Sequence, residues 1–90
     1  MIYELDFTDN ALEDISDLKK SEPKSYSKLQ HLLIELQEHP RTGTGKPKAL
    51  KGEKNIFSRR ITQKHRLVYE INDQTIIILV LTAKGHYGDK

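Results

Sequence analysis

The stretch Ile56-Phe57-Ser58-Arg59-Arg60-Ile61-Thr62-Gln63-Lys64-His65-Arg66-Leu67-Val68-Tyr69-Glu70-Ile71 decides the fold, because its apolar residues recur every second position and not every third or fourth. In Ile56 to Thr62, Phe57 and Ile61 share one face, which puts Ser58, Arg60 and Thr62 on the other. In His65 to Ile71, Leu67, Tyr69 and Ile71 share a face, with Arg66 and Val68 opposite. Two strands joined by a short polar turn are expected. Their apolar faces call for a covering layer, and that layer leaves Arg60 and Arg66 together on the open side. Arg59 falls on the core side by parity, so it must snorkel to an edge or pair with an acid. On pattern alone, solvated sheet decoration explains Arg60 and Arg66 as well as a binding site does.

Working outward, Thr75 to Leu81 is apolar on both faces and reads as an interior strand, with Asn72-Asp73-Gln74 as the preceding turn. Leu50 lies in a short candidate strand. Pro40 to Pro47 holds Thr42-Gly43-Thr44-Gly45, a turn-rich loop between two halves of different periodicity. Before it, Tyr26, Leu29, Leu32, Leu33 and Leu36 keep helical spacing, with Ser21-Glu22-Pro23 as the start signal and His39-Pro40 as the stop. A first helix runs from a Thr8 cap to about Lys20, with Ala11, Leu12, Ile15 and Leu18 as its apolar stripe. Ile2 to Phe7 alternates as an opening strand. The expected architecture is α+β, one N-terminal strand and two helices packed on a mostly antiparallel, twisted sheet.

At 90 residues, one domain spanning 1–90 is expected, with a surface-laid site in place of a deep enclosed pocket. There is no cysteine, so neither disulfides nor a thiolate metal site supplies stability. The longest apolar run, Ile76 to Leu81, is far below the roughly 20 residues that span a bilayer, so no membrane association is expected and a cytoplasmic location is compatible. Net charge is only +2, but Arg41 to Arg66 holds nine Lys or Arg against one acid, Glu53. A basic middle on a nearly neutral chain is the footprint of a phosphate-bearing partner.

Cleavage of RNA by attack of a 2′-hydroxyl on its own phosphate needs a base, cations for the phosphorane charge and an acid for the departing 5′ oxygen. Arginine supplies the cations, since its planar fork holds two phosphate oxygens and stays protonated. Histidine, with an unperturbed pKa of about 6.5, suits the proton transfers. His31 and His39 lie on and at the end of the second helix, where surface or capping roles fit, and His65 at a strand start reads as structural. His86 follows the last strand in Lys84-Gly85-His86-Tyr87-Gly88-Asp89-Lys90. A lone histidine in a polar tail is usually inert, but the adjoining Tyr87 could stack on an unpaired base.

Taken in order, Arg41-Thr42-Gly43-Thr44-Gly45-Lys46-Pro47, Phe57-Ser58-Arg59-Arg60-Ile61-Thr62, His65-Arg66-Leu67-Val68-Tyr69 and Gly85-His86-Tyr87 resemble the YoeB/Txe toxins of type II toxin–antitoxin modules, within the RelE/ParE superfamily. The resemblance implies a microbial-ribonuclease-like fold, cleavage of messenger RNA in the ribosomal A site and neutralisation by a cognate antitoxin. It also implies that Arg66 stabilises the phosphorane, that His86 is the general acid and that Tyr87 orients substrate. Arg60 and Lys51 match family positions that hold RNA phosphates. With Lys46 and Arg59 they form the expected RNA-binding set. No metal and no cofactor are expected. The partners implied are messenger RNA, the ribosome and an antitoxin that wraps the open face or displaces the tail, and a homodimer is compatible.

One position departs from the pattern. The family usually reads Lys-Pro-Glu where this chain reads Lys46-Pro47-Lys48, and the glutamate is its general base. A protonated lysine cannot take the hydroxyl proton. Lys48 could act as a base after loss of its own proton, as in the lysine-rich sites of RelE-type toxins. Alternatively the ribosome supplies what is missing, or the protein is attenuated, since loss of a general base typically costs about 10² to 10⁴-fold. Two other classes compete with the enzyme: a non-cleaving RNA or ribosome binder, and an interaction protein whose basic face serves only an acidic partner.

Overall fold

A computed structural model describes residues 2–85 as β1 (Glu4–Phe7), α1 (Asp9–Ser21), α2 (Pro23–Glu38), β2 (Lys48–Ala49), β3 (Ile56–Arg60), β4 (Arg66–Asn72) and β5 (Ile77–Thr82). The five strands form one sheet in the order β1-β5-β4-β3-β2. All neighbours are antiparallel except β1 and β5. The α+β expectation holds, and β5 is interior as its two-sided apolar character requires.

Local chemistry sets the boundaries. Thr8 caps α1, its Oγ1 accepting the Ala11 amide at 3.0 Å while the hydroxyl donates to the Leu81 carbonyl at 2.8 Å. One side chain thus ends β1, starts α1 and ties both to β5. Ser21 is not the cap of α2. It is the last residue of α1, its hydroxyl donates back to the Asp17 carbonyl, and Glu22 takes the cap position without a side-chain capping bond. The Glu22 carboxylate is used elsewhere, as described below. The turn after β4 extends to Ile76, which takes a left-handed backbone conformation (φ 58°).

The helices lay Ala11, Leu18, Leu29, Leu32 and Leu36 against Ile61, Leu67, Tyr69, Ile71, Ile78 and Val80, and all of these are buried. Full burial of a leucine or isoleucine contributes roughly 1.5–3 kcal/mol, so this single layer carries most of the stability. Leu12, expected in the stripe of α1, is instead 52% exposed. It lies about 100° around the helix from its neighbour Ala11, past the edge of the contact with the sheet.

The largest buried side chain is Arg59, with no exposed surface. Its Nε donates to the Tyr69 hydroxyl at 3.0 Å. Nη1 donates to Glu35 at 2.7 Å and to the Thr44 carbonyl at 3.3 Å, and Nη2 to the carbonyls of Thr42, at 2.7 Å, and His39. Every donor of the guanidinium is therefore spent inside the protein. Arg59 is consequently withdrawn from the RNA-binding set: a residue with no exposed surface and no remaining N–H has nothing to offer a phosphate. The parity argument that put it on the core side, paired with an acid, describes its actual environment.

Around it, burial pushes the Glu35 carboxyl up, but hydrogen bonds from the Thr44 amide and hydroxyl and the Arg59 charge outweigh this and leave it below the ordinary carboxylate value. Burial raises the Tyr69 phenol, which stays protonated and donates to the Pro40 carbonyl at 2.7 Å. Because the native Glu35 value lies below the unfolded one, near 4.5, its stabilisation is complete above that pH and is lost as pH falls through the native value. Arg59→Lys leaves several buried carbonyls without donors and is expected to lower the unfolding free energy by about 3 kcal/mol or more in urea titrations at pH 7. Compared with wild type, Glu35→Gln should flatten the loss of stability that sets in as pH falls below the unfolded carboxyl value near 4.5, read from urea titrations across that range.

Candidate functional site on the open sheet face

Register fixes which cations share a face. Arg60 and Arg66 are directly opposed across β3 and β4, and Lys48 of β2 is directly opposed to Ser58, two residues from Arg60. Side chains of opposed residues lie on one face with Cβ atoms about 4.5–5.5 Å apart, so Lys48, Arg60 and Arg66 belong to one patch on the side away from the helices. Lys48 and Arg60 are exposed and Arg66 is half-buried. Ser58 and Val68, between them, are buried, so the accessible part of the patch is cationic.

The turn linking β3 to β4 is tight. Thr62 Oγ1 accepts the amides of Lys64 and His65 at 3.2 Å, and the His65 carbonyl accepts those of Ile61 and Thr62. These bonds set the two arginines opposite each other. Like charges so placed repel, at a cost of roughly 0.2–1 kcal/mol, and no salt bridge to Arg60, Arg66, Lys46, Lys48 or Lys51 is present among the described residues. An external anion between the two guanidinium groups would relieve that repulsion.

Lys46 follows the loop that Arg59 clamps and has a left-handed backbone (φ 51°). The preceding Gly45 (φ 85°) gives its carbonyl to the Arg60 amide at 2.7 Å, and a Cβ on it would stand 2.7 Å from the Arg60 carbonyl. Only glycine lets the loop approach β3 this closely. The clamp therefore brings the Lys46–Lys48 segment alongside Arg60. Lys51 is exposed in the turn after β2.

At the start of β4, the Arg66 amide donates to the Gly85 carbonyl at 2.9 Å. The expectations for His86 and Tyr87 lie outside the described residues. The segment that leads to them is held by α1: Asp14 accepts the Ala83 amide at 3.1 Å and Asp17 pairs with Lys84 at 3.1 Å. His65, read from the sequence as structural, is 4% exposed and spans two elements, its Nε2 2.9 Å from Glu22 and its Nδ1 accepting the Gly85 amide at 2.9 Å. That hydrogen bond from His65 leads the effects that hold the Glu22 carboxyl below its ordinary value, against the opposing effect of burial. The signal for this role was available in the sequence. His65 shares parity with Leu67 and Tyr69, and a buried imidazole requires partners on both nitrogens.

The family described as YoeB-like toxin of bacterial type II toxin-antitoxin system matches residues 7–87. The chain belongs to the YoeB toxin family. A toxin YoeB of Streptomyces coelicolor is 35% identical over 82 residues, spanning 90% of this chain and 95% of that protein. A YoeB/ParE toxin of Agrobacterium tumefaciens superposes with a TM-score of 0.87 at 29% identity, covering 93% of this chain and 99% of that one. YoeB of Staphylococcus aureus has been solved as a dimer, with a TM-score of 0.85, and in a heterotetrameric complex with the antitoxin YefM, with a TM-score of 0.81. In both cases it is 31% identical, with 97% of this chain and all of that one covered. As a YoeB toxin, the chain is one half of a toxin–antitoxin module.

If the arginine pair is held under repulsion, Arg60→Gln should raise stability by about 0.2–1 kcal/mol at low salt. The gain should vanish in 0.5 M salt, where the Debye length is only about 4 Å. Paired urea titrations at the two ionic strengths measure it.

Proposed function

We propose that this YoeB toxin is a metal-independent endoribonuclease that cuts messenger RNA in the ribosomal A site and is neutralised by a cognate antitoxin. The observation that carries the proposal is the row of Lys48, Arg60 and Arg66 on the open face, without a salt-bridge partner among the described residues, beside Gly85, from which the chain continues to His86. In the reaction the 2′ oxygen bonds to phosphorus and the bond to the 5′ oxygen breaks. The two guanidinium groups hold the non-bridging oxygens as charge builds on them. His86, one residue beyond Gly85, gives its proton to the departing 5′ oxygen, and Tyr87 stacks on an unpaired base.

Lys48 occupies the position of the family's glutamate. With its proton lost it takes the proton of the 2′-hydroxyl, and Lys46 and Lys51 hold flanking phosphates. The S. aureus relative binds YefM, and an antitoxin of this chain would cover the same cationic face with acidic residues; homodimerisation follows by the same analogy. A location in the cytoplasm, where translating ribosomes are found, belongs to the same reading.

The test is cleavage of message on translating ribosomes, with the cut ends mapped. Arg66→Gln and His86→Ala should each lower the rate about 10²-fold or more, and Lys48→Ala about tenfold or more. Lys48→Glu should recover cleavage, because a carboxylate there is the usual base. Intact message with every form, wild type included, would leave a ribosome-binding protein in place of a nuclease.

A further inference from the structure

We infer that His65 is a positioning residue that fixes Gly85, the residue from which the chain continues to His86. The effect on rate rests on the ribonuclease reading above; the anchor itself does not. Gly85 is gripped on both sides by consecutive residues of one strand end: its amide donates to His65 Nδ1 and its carbonyl accepts the Arg66 amide, each at 2.9 Å. Gly85 has a left-handed backbone (φ 73°) with open space around it, so the chain changes direction there and the two bonds define that direction.

The imidazole is itself fixed. It is 4% exposed, and Glu22 at the junction of α1 and α2 holds its Nε2 at 2.9 Å. Because the Gly85 amide points at Nδ1, that nitrogen carries the lone pair and the proton sits on Nε2, facing the carboxylate. Glu22 thereby selects the tautomer that can accept the tail. Lys64, with its Nζ 4.0 Å from Glu22, and Lys84, which also interacts with Glu22, are further charges beside this pair. Arg66 thus belongs to both parts of the site, with its guanidinium in the cationic row and its amide on the Gly85 carbonyl, while His65 holds the Gly85 amide and Asp14 and Asp17 hold residues 83 and 84. With both of its peptide groups held, Gly85 has a fixed orientation; loss of the imidazole releases its amide. Misplacement of a reacting group by about 1 Å can cost on the order of 10²-fold in rate.

Two conservative replacements separate the anchor from simple packing. An asparagine oxygen can stand where Nδ1 stands and accept the Gly85 amide, whereas a glutamine nitrogen reaches the place of Nε2 and keeps only the bond to Glu22. Wild type, His65→Asn and His65→Gln are compared for cleavage of programmed ribosomes, for amide hydrogen exchange at Gly85 in the free protein and for melting temperature. His65→Gln should lose about 10- to 100-fold in kcat with KM changed by less than about threefold, and Gly85 should exchange freely. His65→Asn should stay within about threefold of wild type, with Gly85 protected. A His65→Gln protein that cuts at the wild-type rate, or equal losses in both variants, overturns the inference. If wild type cuts nothing, the nuclease reading fails and the exchange pattern alone decides the anchor. If neither variant folds, free exchange of Gly85 in wild type is sufficient to reject it.

Discussion

A planar cation has been driven into the centre of a small protein, and the rest of the molecule is arranged so that it can stay there. Arg59 would be costly to bury unpaired; it is tolerated because Glu35 neutralises it, Tyr69 accepts from Nε and three backbone carbonyls of the 39–44 stretch take its remaining protons. The exchange works in both directions. A loop with two glycines and little apolar content has no core of its own, and the arginine gives it a fixed shape. From that shape follow the close passage of Gly45 over β3, the position of Lys46 and the start of β2 at Lys48. The cationic row on the outer face is thus supported from beneath by a cation that never meets solvent.

The two faces of the central strands illustrate how one sequence motif carries two kinds of work. Arg59 and Arg60 are adjacent and chemically identical, yet one is fully buried and the other exposed. The pleat alone separates them, since successive side chains of a strand point to opposite faces. His65 and Arg66 repeat the arrangement on β4, with the imidazole inward on Glu22 and Gly85, and the guanidinium outward. Each pair couples an inward, internally bonded group to an outward cation through a single peptide unit.

Element order, strand parity and the shared face of Arg60 and Arg66 were legible in the sequence because they follow from periodicity, which is local. The Thr8 cap was legible for the same reason. Several features were not. Ser21 has the chemistry of a cap, but whether the chain turns before or after it depends on where Glu22 finds a partner, and that partner, His65, is 43 residues away. Leu12 looked like core because the width of a helix contact is set by the sheet it meets. The five acceptors around Arg59 come from α2, the following loop and β4, so parity could assign its side of the sheet but not the group it would serve. The expected RNA-binding set included it; the folded environment leaves it no free donor. The roles of Lys48 and the residues after Gly85 are chemical questions that neither periodicity nor register answers.

The order of strands has a consequence for when this molecule comes into being. β5 is synthesised after the other four strands, yet it lies between β1 and β4, and among the described residues β1 pairs with no other strand. Residues 4–7 must therefore wait for residues 77–80, a closure across most of the chain that is entropically slow. Until then, the helices have an incomplete floor and the start of β4 has no tail to hold. A nascent chain cannot seat its first strand until β5 has left the ribosome, so the sheet that carries the cationic face is closed only after all five strands have been made.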